Sequence, residues 1–459
     1  MTIEWVLTKI SEVADIHTKK VDAVDVELEE YVSTDNMLSD FGGVSPATNK
    51  PIKGKVTSFK AGDILFSNIR TYFKKLWLAD VKGACSNDVI VFRPKKNIPS
   101  SYLYHVLMDA RFIEYTVKTS KGTKMPRGDK SAIFQYEFQL APEMLRSKIG
   151  ESLIIYQNRI AQNQQTNQTL EEMAQTLFKS WFVAFDPVID NALAAGKPIP
   201  AELQHRVEVR KKAKVLREGN PNIKSLPEQI QSLFPSEFEH CGDDSLGIQG
   251  WIPKSWEVAS LSDVTIELRR GISPKYLEEG GVKVINQKCI RNHQIDFGLC
   301  RRNNPETRKV DGRYLKLGDV LVNSTGVGTL GRVAQVKYLL EPTVVDSHVT
   351  VVRPNPTKFP PYSFGSLMIH MERSIEALGE GSTGQTELSR KILSEQRFVM
   401  STMETLIKFE ALSLEISKKQ CVIEQQIQSL AETRDTLLPK LISGEISLTG
   451  SQIIGAINA

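Results

Sequence analysis

The sequence predicts an α+β fold in which two similar α/β domains are separated by two long antiparallel coiled-coil helices, arranged about a pseudo-two-fold axis. Three observations predict it. First, Leu170-Glu-Glu-Met-Ala-Gln-Thr-Leu-Phe-Lys-Ser-Trp-Phe182 and Leu430-Ala-Glu-Thr-Arg-Asp-Thr-Leu-Leu-Pro-Lys-Leu-Ile442 align without a gap at an offset of 260, with Leu170/Leu430, Glu172/Glu432, Thr176/Thr436 and Leu177/Leu437 identical. Second, each copy closes a run at alternating spacings of four and three, the signature of a coiled-coil seam. The first run is Ile149, Leu153, Tyr156, Ile160, Asn163, Asn167, Leu170, Ala174, Leu177 and Trp181. The second is Phe409, Ser413, Ile416, Gln420, Ile423, Ile427, Leu430, Arg434, Leu437 and Leu441, imperfect at Ser413, Gln420 and Arg434. Third, similar offsets recur outside the helices, so the whole domain-plus-helix unit is duplicated.

Residues 1–142 are the first domain. It opens with Trp5-Val-Leu-Thr-Lys-Ile-Ser-Glu-Val13. Strands are expected at Gly62-Asp-Ile-Leu-Phe66 and at Asp88-Val-Ile-Val-Phe-Arg-Pro94, the latter stopped by a proline that has no amide for the ladder. A helix is expected from Ser101 to Tyr115. Lys118-Thr-Ser-Lys-Gly-Thr-Lys-Met-Pro-Arg127 then holds four basic residues, and Gly122 and Pro126 mark it as an exposed, turn-rich loop. The first long helix occupies 143–183 and is broken at Phe185-Asp-Pro-Val188. Residues 184–250 read as a connector with a basic helix from Ala201 to Glu218.

Residues 251–400 repeat the first domain. Trp256-Glu-Val-Ala-Ser-Leu-Ser-Asp-Val264 matches Trp5 to Val13 at an offset of 251, and Lys316-Leu-Gly-Asp-Val-Leu321 matches Lys60-Ala-Gly-Asp-Ile-Leu65 at 256. Val349-Thr-Val-Val-Arg-Pro354 matches Val89-Ile-Val-Phe-Arg-Pro94 at 260. Ser382-Thr-Gly-Gln385 matches Gly122-Thr-Lys-Met125 more weakly at that same offset. The drift places length changes in loops. The second long helix follows at 401–448, with a tail at 449–459.

A chain of 459 residues exceeds one core. No run is long and apolar enough to span a membrane, and the first residues lack signal-peptide character, so a cytoplasmic protein is expected. The five cysteines are scattered without a CxxC pair, which suits a reducing compartment and gives no zinc pattern. Charge is uneven. Between Arg269 and Lys316 there are twelve Lys/Arg against five Asp/Glu, a net +7 in 48 residues, although the whole chain is only +4. A local positive field of this kind suits a phosphate backbone.

Catalytic signatures fail on inspection. Gly326-Val-Gly-Thr-Leu-Gly331 satisfies G-x-G-x-x-G, but a dinucleotide site needs a helix next, and the sequel Arg332-Val-Ala-Gln-Val336 is strand-like. A hairpin loop is the expectation. Phe359-Pro-Pro-Tyr362 lacks the polar residue that would accept hydrogen bonds from an exocyclic amine. His348 reads as a satisfied strand histidine. The histidines form no pair at metal-ligand spacing.

Met173-Ala-Gln-Thr-Leu-Phe-Lys-Ser-Trp-Phe-Val-Ala-Phe-Asp-Pro187, Gly250-Trp-Ile-Pro-Lys-Ser-Trp-Glu257 and Leu437-Leu-Pro-Lys-Leu-Ile-Ser-Gly-Glu-Ile446, in this order, resemble the specificity subunits of type I restriction–modification systems. The resemblance covers nearly the whole chain. It implies two target recognition domains, each reading half of a bipartite site in double-stranded DNA, with a central and a distal conserved helix between them. It also implies no chemistry in this chain. Methylation with S-adenosylmethionine belongs to two partner methyltransferase subunits, and cleavage to restriction subunits with nuclease and translocase activity. The other readings are a self-sufficient DNA methyltransferase, which needs the missing motifs, and a coiled-coil scaffold that binds no DNA.

Bases are read by Arg, Lys, Asn and Gln, while Lys, Ser and Thr hold phosphates. In the first domain the candidates are Arg70, Tyr72, Lys74, Lys75, Lys121, Thr123, Lys124 and Arg127. In the second they are Arg269, Arg270, Lys275, Asn286, Gln287, Lys288, Arg291, Asn292, Arg301, Arg302, Thr325, Thr329, Ser382, Thr383, Gln385 and Arg390. Connectivity makes the helices antiparallel, since one leads away from the first domain and the other must return. From Ile149 to Trp181 the helix spans about 50 Å at ~1.5 Å per residue, equivalent to roughly 15 base pairs at ~3.4 Å each, which suits two half-sites with an unread spacer. Asn163 and Asn167 either fix the register of the seam or face a partner subunit.

Overall fold

A computed structural model describes residues 4–220, 224–326, 328–379 and 387–446. The chain divides into two compact units: Met1–Thr166 with Ile423–Ala459, and Asn167–Val422. Each unit therefore takes a segment of both long helices.

In the first unit an antiparallel four-stranded sheet has the order Ala14–Ile16, Val89–Pro94, Ile64–Ser67, Leu76–Leu78. In the second the order is Thr265–Arg270, Val349–Pro354, Val320–Asn323, Val333–Gln335. The duplication holds to the register. Offsets of 256 and 260 carry the pair Ile64↔Phe92 onto Val320↔Val352, and offsets of 251 and 260 carry Ala14↔Pro94 onto Thr265↔Pro354; all four partnerships occur. The outer pairs obey the same rule, Val6↔Leu140 and Glu257↔Met400. A one-residue slip would turn every inward side chain outward, so matching registers mean matching cores.

The repeated Gly-Asp and Arg-Pro sequences meet in both sheets. Asp63 accepts two hydrogen bonds from Arg93, at 2.8 and 2.6 Å, and one from the Lys60 amide at 2.9 Å. Asp319 accepts from Arg353 at 2.6 and 2.7 Å and from the Lys316 amide at 2.8 Å. Both carboxylates are buried.

The expected helix from Ser101 to Tyr115 is two helices, Ser100–Met108 and Ala110–Lys118. Asp109 divides them because its carboxylate caps the second helix, accepting from the Arg111 amide at 2.8 Å. The first long helix is α-helical over Glu143–Phe178 and widens to a π turn over Lys179–Val183. Phe185 then adopts a left-handed φ of 53°, and a short helix, Asp186–Ala194, follows. In the connector, the basic helix Gln204–Glu218 turns Arg206 and Arg210 onto Asp186 and Asp190 of that short helix. These cations are therefore structural.

The second long helix, Met403–Ser443, runs antiparallel to the first within each unit. In the first unit Arg434 donates to Gln157 at 2.6 Å, and Asn163 faces Gln426 at 3.5 Å. In the second unit Gln420 donates to the Asn167 carbonyl at 3.2 Å, and Phe409 packs against Phe178, Trp181 and Phe182. As one number rises its partner's falls. Ile149, Leu153, Ile160, Asn163, Asn167, Ala174 and Trp181 are buried, as are Phe409, Ser413, Gln420, Arg434 and Leu441. Leu170, Leu177, Ile416, Ile423, Ile427, Leu430 and Leu437 are half-buried. Asn163 and Asn167 thus face the opposite helix.

The thirteen-residue repeat has a packing role. Phe178, Trp181 and Phe182 enter the core of the second unit, with Val320, Val352 and Phe364. Their equivalents Leu438, Leu441 and Ile442 enter the core of the first, with Ile64, Phe92 and Tyr102. Each domain is closed by the end of one long helix and the start of the other. Gly150 is needed for this contact, since a Cβ there would lie 2.4 Å from Ser101 Oγ and 2.6 Å from the Tyr102 amide. At the repeat-equivalent position Glu410 instead accepts hydrogen bonds from the Tyr362 and Ser363 amides at 3.1 and 2.6 Å, capping the helix Pro361–His370.

Candidate nucleic-acid interface

In the first unit the hairpin loop between Ile64–Ser67 and Leu76–Leu78 lies against the basic loop 118–130. Ile69 and Lys121 each bridge to Arg127, the Arg70 amide donates to the Pro126 carbonyl at 2.8 Å, and the Gly128 amide donates to the Asn68 carbonyl at 2.9 Å. Two sequence-distant clusters become one surface. Tyr72, Lys74, Lys121, Thr123, Lys124 and Arg127 are exposed on it, and Arg70 is half-exposed. Phe73, exposed beside Tyr72, escaped the sequence reading because aromatic residues are core by default. Asp129 orders the loop. It accepts from the Ser131 and Ala132 amides and pairs with Lys121 at 2.5 Å, and the Lys121 ammonium holds its carboxyl below the usual carboxylate range. Lys75 turns inward, donating to the Thr34 carbonyl at 2.5 Å.

The second unit repeats this join. Thr325 bridges to Glu387, and the Leu388 amide donates to the Ser324 carbonyl at 2.9 Å, equivalent to the Gly128–Asn68 bond. Gln287 is drawn in as well. Asn323 donates to its carbonyl at 3.0 Å, and Thr325 donates to its side-chain oxygen at 3.3 Å while lying 2.8 Å from His348 Nδ1. Next to Gln287, Lys288 is exposed, as are Arg291 and Asn292 on a tight hairpin whose Asn292 and His293 have φ of 50° and 61°. Thr329 is half-buried in the glycine-rich loop, its hydroxyl donating to the Thr325 carbonyl, and Arg390 is exposed at the start of the helix Arg390–Ser394. Ser382, Thr383 and Gln385 lie outside the described residues.

Other candidates are committed within the fold. Arg269 is buried, pairing with Glu267 and donating to the Arg313 carbonyl at 2.9 Å. Arg270 ties the loops together, reaching Glu387 at 3.0 Å, the Leu388 carbonyl at 2.8 Å and the Ser347 carbonyl at 3.2 Å. Arg302 grips Glu341 through two bonds of 2.9 and 3.0 Å. Arg302, and then Lys283, hold the Glu341 carboxyl down to about 2. Asn286 is buried, its side chain accepting from the Lys288 amide. Lys275 and Arg301 are exposed together elsewhere, with Arg301 stacked 3.3 Å over the Tyr276 ring.

The rejected catalytic signals also resolve. The glycine-rich segment connects the antiparallel strands Val320–Asn323 and Val333–Gln335, so no helix follows it. Phe359 is buried against Phe364 and Phe398. His348 lies on an exposed turn before the strand Val349–Pro354, not within it, and Thr325 is its partner. Among the described residues no helix is long and apolar enough to cross a membrane.

Residues 2–172 match a family model described as "Type I restriction modification DNA specificity domain". The chain is similar to the type I restriction enzyme HindI specificity subunit of Haemophilus influenzae, with 25% identity over 433 residues, 91% of this chain and 94% of that one. It is also similar to the MjaIX specificity subunit of Methanocaldococcus jannaschii, with 22% identity over 354 residues, 77% of this chain and 70% of the relative. Among solved structures, the type I restriction–modification S subunit from M. genitalium shares the fold over 98% of each chain, with a TM-score of 0.50 at 14% identity. Residues 2–172 thus match a type I DNA specificity domain, and the chain is similar over most of its length to type I restriction enzyme specificity subunits.

Proposed function

We propose that this chain is the DNA specificity subunit of a type I restriction–modification complex, not itself an enzyme, and that it reads a bipartite site with an unread spacer. Each unit reads one half-site through its joined loops, 67–75 with 118–130 in the first and 287–292, 323–329 and 387–390 in the second. The observation that carries this reading is the repeated join, in which equivalent backbone bonds, Gly128 to Asn68 and Leu388 to Ser324, gather polar and basic loops at the same edge of two equivalent sheets. S-adenosylmethionine and the catalytic groups are placed on two methyltransferase partners, with restriction subunits completing the complex.

Purified chain, S-adenosylmethionine and host DNA should give no methyl transfer. Adding the methyltransferase subunits should give transfer at one bipartite sequence. Activity that stays with the chain through successive purification steps contradicts this reading in favour of a self-sufficient methyltransferase.

A further inference from the structure

We infer that Tyr72 and Phe73 form a base-stacking wedge with which the first unit unstacks a step of its half-site, a role that rests on the proposed function. The two rings cap the turn Thr71–Phe73. Their centroids are 4.7 Å apart, and the residues are 47% and 39% exposed, whereas Thr71 between them and the sheet is buried. Burial would be the ordinary fate of two adjacent aromatic side chains.

The backbone is built to keep them out. Arg70 and Lys74, on either side of the turn, both take the left-handed region, with φ of 49° and 53°, which non-glycine residues adopt only where surrounding structure imposes it. Four backbone bonds impose it: Arg70 to Pro126 at 2.8 Å, Lys74 to Thr71 at 2.9 Å, Asp40 to Phe73 at 3.0 Å and Phe41 to Lys74 at 3.0 Å. A turn so fixed holds its rings in place before any partner arrives.

The surroundings identify the partner. Lys74, Lys121, Lys124 and Arg127 are exposed on the same two joined loops; Lys74, Lys121 and Arg127 pair with Asp40, Asp129 and Asp88 at 3.6, 2.5 and 3.2 Å, surface pairs weak enough for a phosphate to displace. Aromatic faces rimmed by cations match bases rimmed by phosphates: rings stack on bases or enter between them, while the cations hold the backbone. A protein partner with a large apolar patch would gain nothing from this rim. The equivalent loop of the second unit, Asn323-Ser-Thr-Gly-Val-Gly-Thr-Leu-Gly331, has no aromatic residue. The wedge therefore belongs to the first half-site alone, and the second is read by polar groups.

The test uses the complex assembled with its methyltransferase subunits, after methylome sequencing has defined both half-sites. 2-Aminopurine, which brightens when unstacked, is placed in turn at each step of both half-sites except the methylated bases, which the methyltransferase itself can extrude. With the wild-type complex, one step of the first half-site should brighten and none of the second. In Tyr72→Ala/Phe73→Ala that signal should vanish and affinity should fall roughly ten-fold or more, the loss of one or two stacked bases. Tyr72→Phe should keep the signal, and Lys124→Ala should keep it while reducing the salt dependence of binding. Unchanged fluorescence in the double variant overturns the wedge, as does loss of methyltransferase co-purification, which would make the rings a protein contact. Absence of any sequence preference in the wild-type complex would instead overturn the proposed function.

Discussion

Asp319 and Arg353 show why a repeated residue need not be a reading residue. Both members of the repeat were visible as a Gly-Asp and an Arg-Pro, but 34 positions separate them, and only the sheet register brings them together. The same blindness affected Arg269, Arg270 and Arg302, offered to DNA on charge alone. Their acceptors, Glu267, Glu387 and Glu341, include two that are remote in sequence, and composition cannot pair them. Asp319→Asn removes the buried bidentate partner and leaves Arg353 with Glu267 and the Tyr314 carbonyl, so it should destabilise the second unit by about 2 kcal/mol. Chemical denaturation followed through Trp256, which is buried in that unit's core, checks this. An unchanged midpoint would mean that Glu267 alone satisfies Arg353.

Among the elements, the long helices were the most legible, since a 4-3 spacing sustained over ten positions admits few alternatives. The imperfect seam positions were legible as places and not as partners: Gln420 reaches Asn167, and Arg434 reaches Gln157, each pairing one helix with the other. The break at Asp109 was missed because Ser101 to Tyr115 reads as one helix until the Asp109 side chain turns back to cap its second half. If the helices set the spacer, their length should set its size. Four residues inserted between Asn163 and Asn167 add about 6 Å, permitting a spacer up to about two base pairs longer. Because four residues are close to one turn, the seam stays nearly in phase. Two residues would rotate it by about 200° and should disrupt assembly. Methylome sequencing of the four-residue variant should show both half-sites kept and the spacer lengthened; the original spacer would show that the helices are not the ruler.

At the scale of the whole molecule, the duplication was legible as matching segments, the structure shows that the same offsets carry one sheet register onto the other, and the drift of the offset from 251 to 260 marked where loops change length. Those loops are where the units differ: aromatic and basic at Tyr72 to Lys74, glycine-rich and polar at Thr325 to Thr329. A core constrains its residues through packing and so repeats legibly, whereas an exposed loop is free to vary, which is why individual contact residues were the least readable feature of the sequence. The central claim is that two units read two half-sites independently. Methylome sequencing after residues 251–400 are exchanged for the matching domain of a relative tests it most directly. The account predicts that one half-site changes and the other persists; loss or alteration of both in a folded, methylating complex would contradict it.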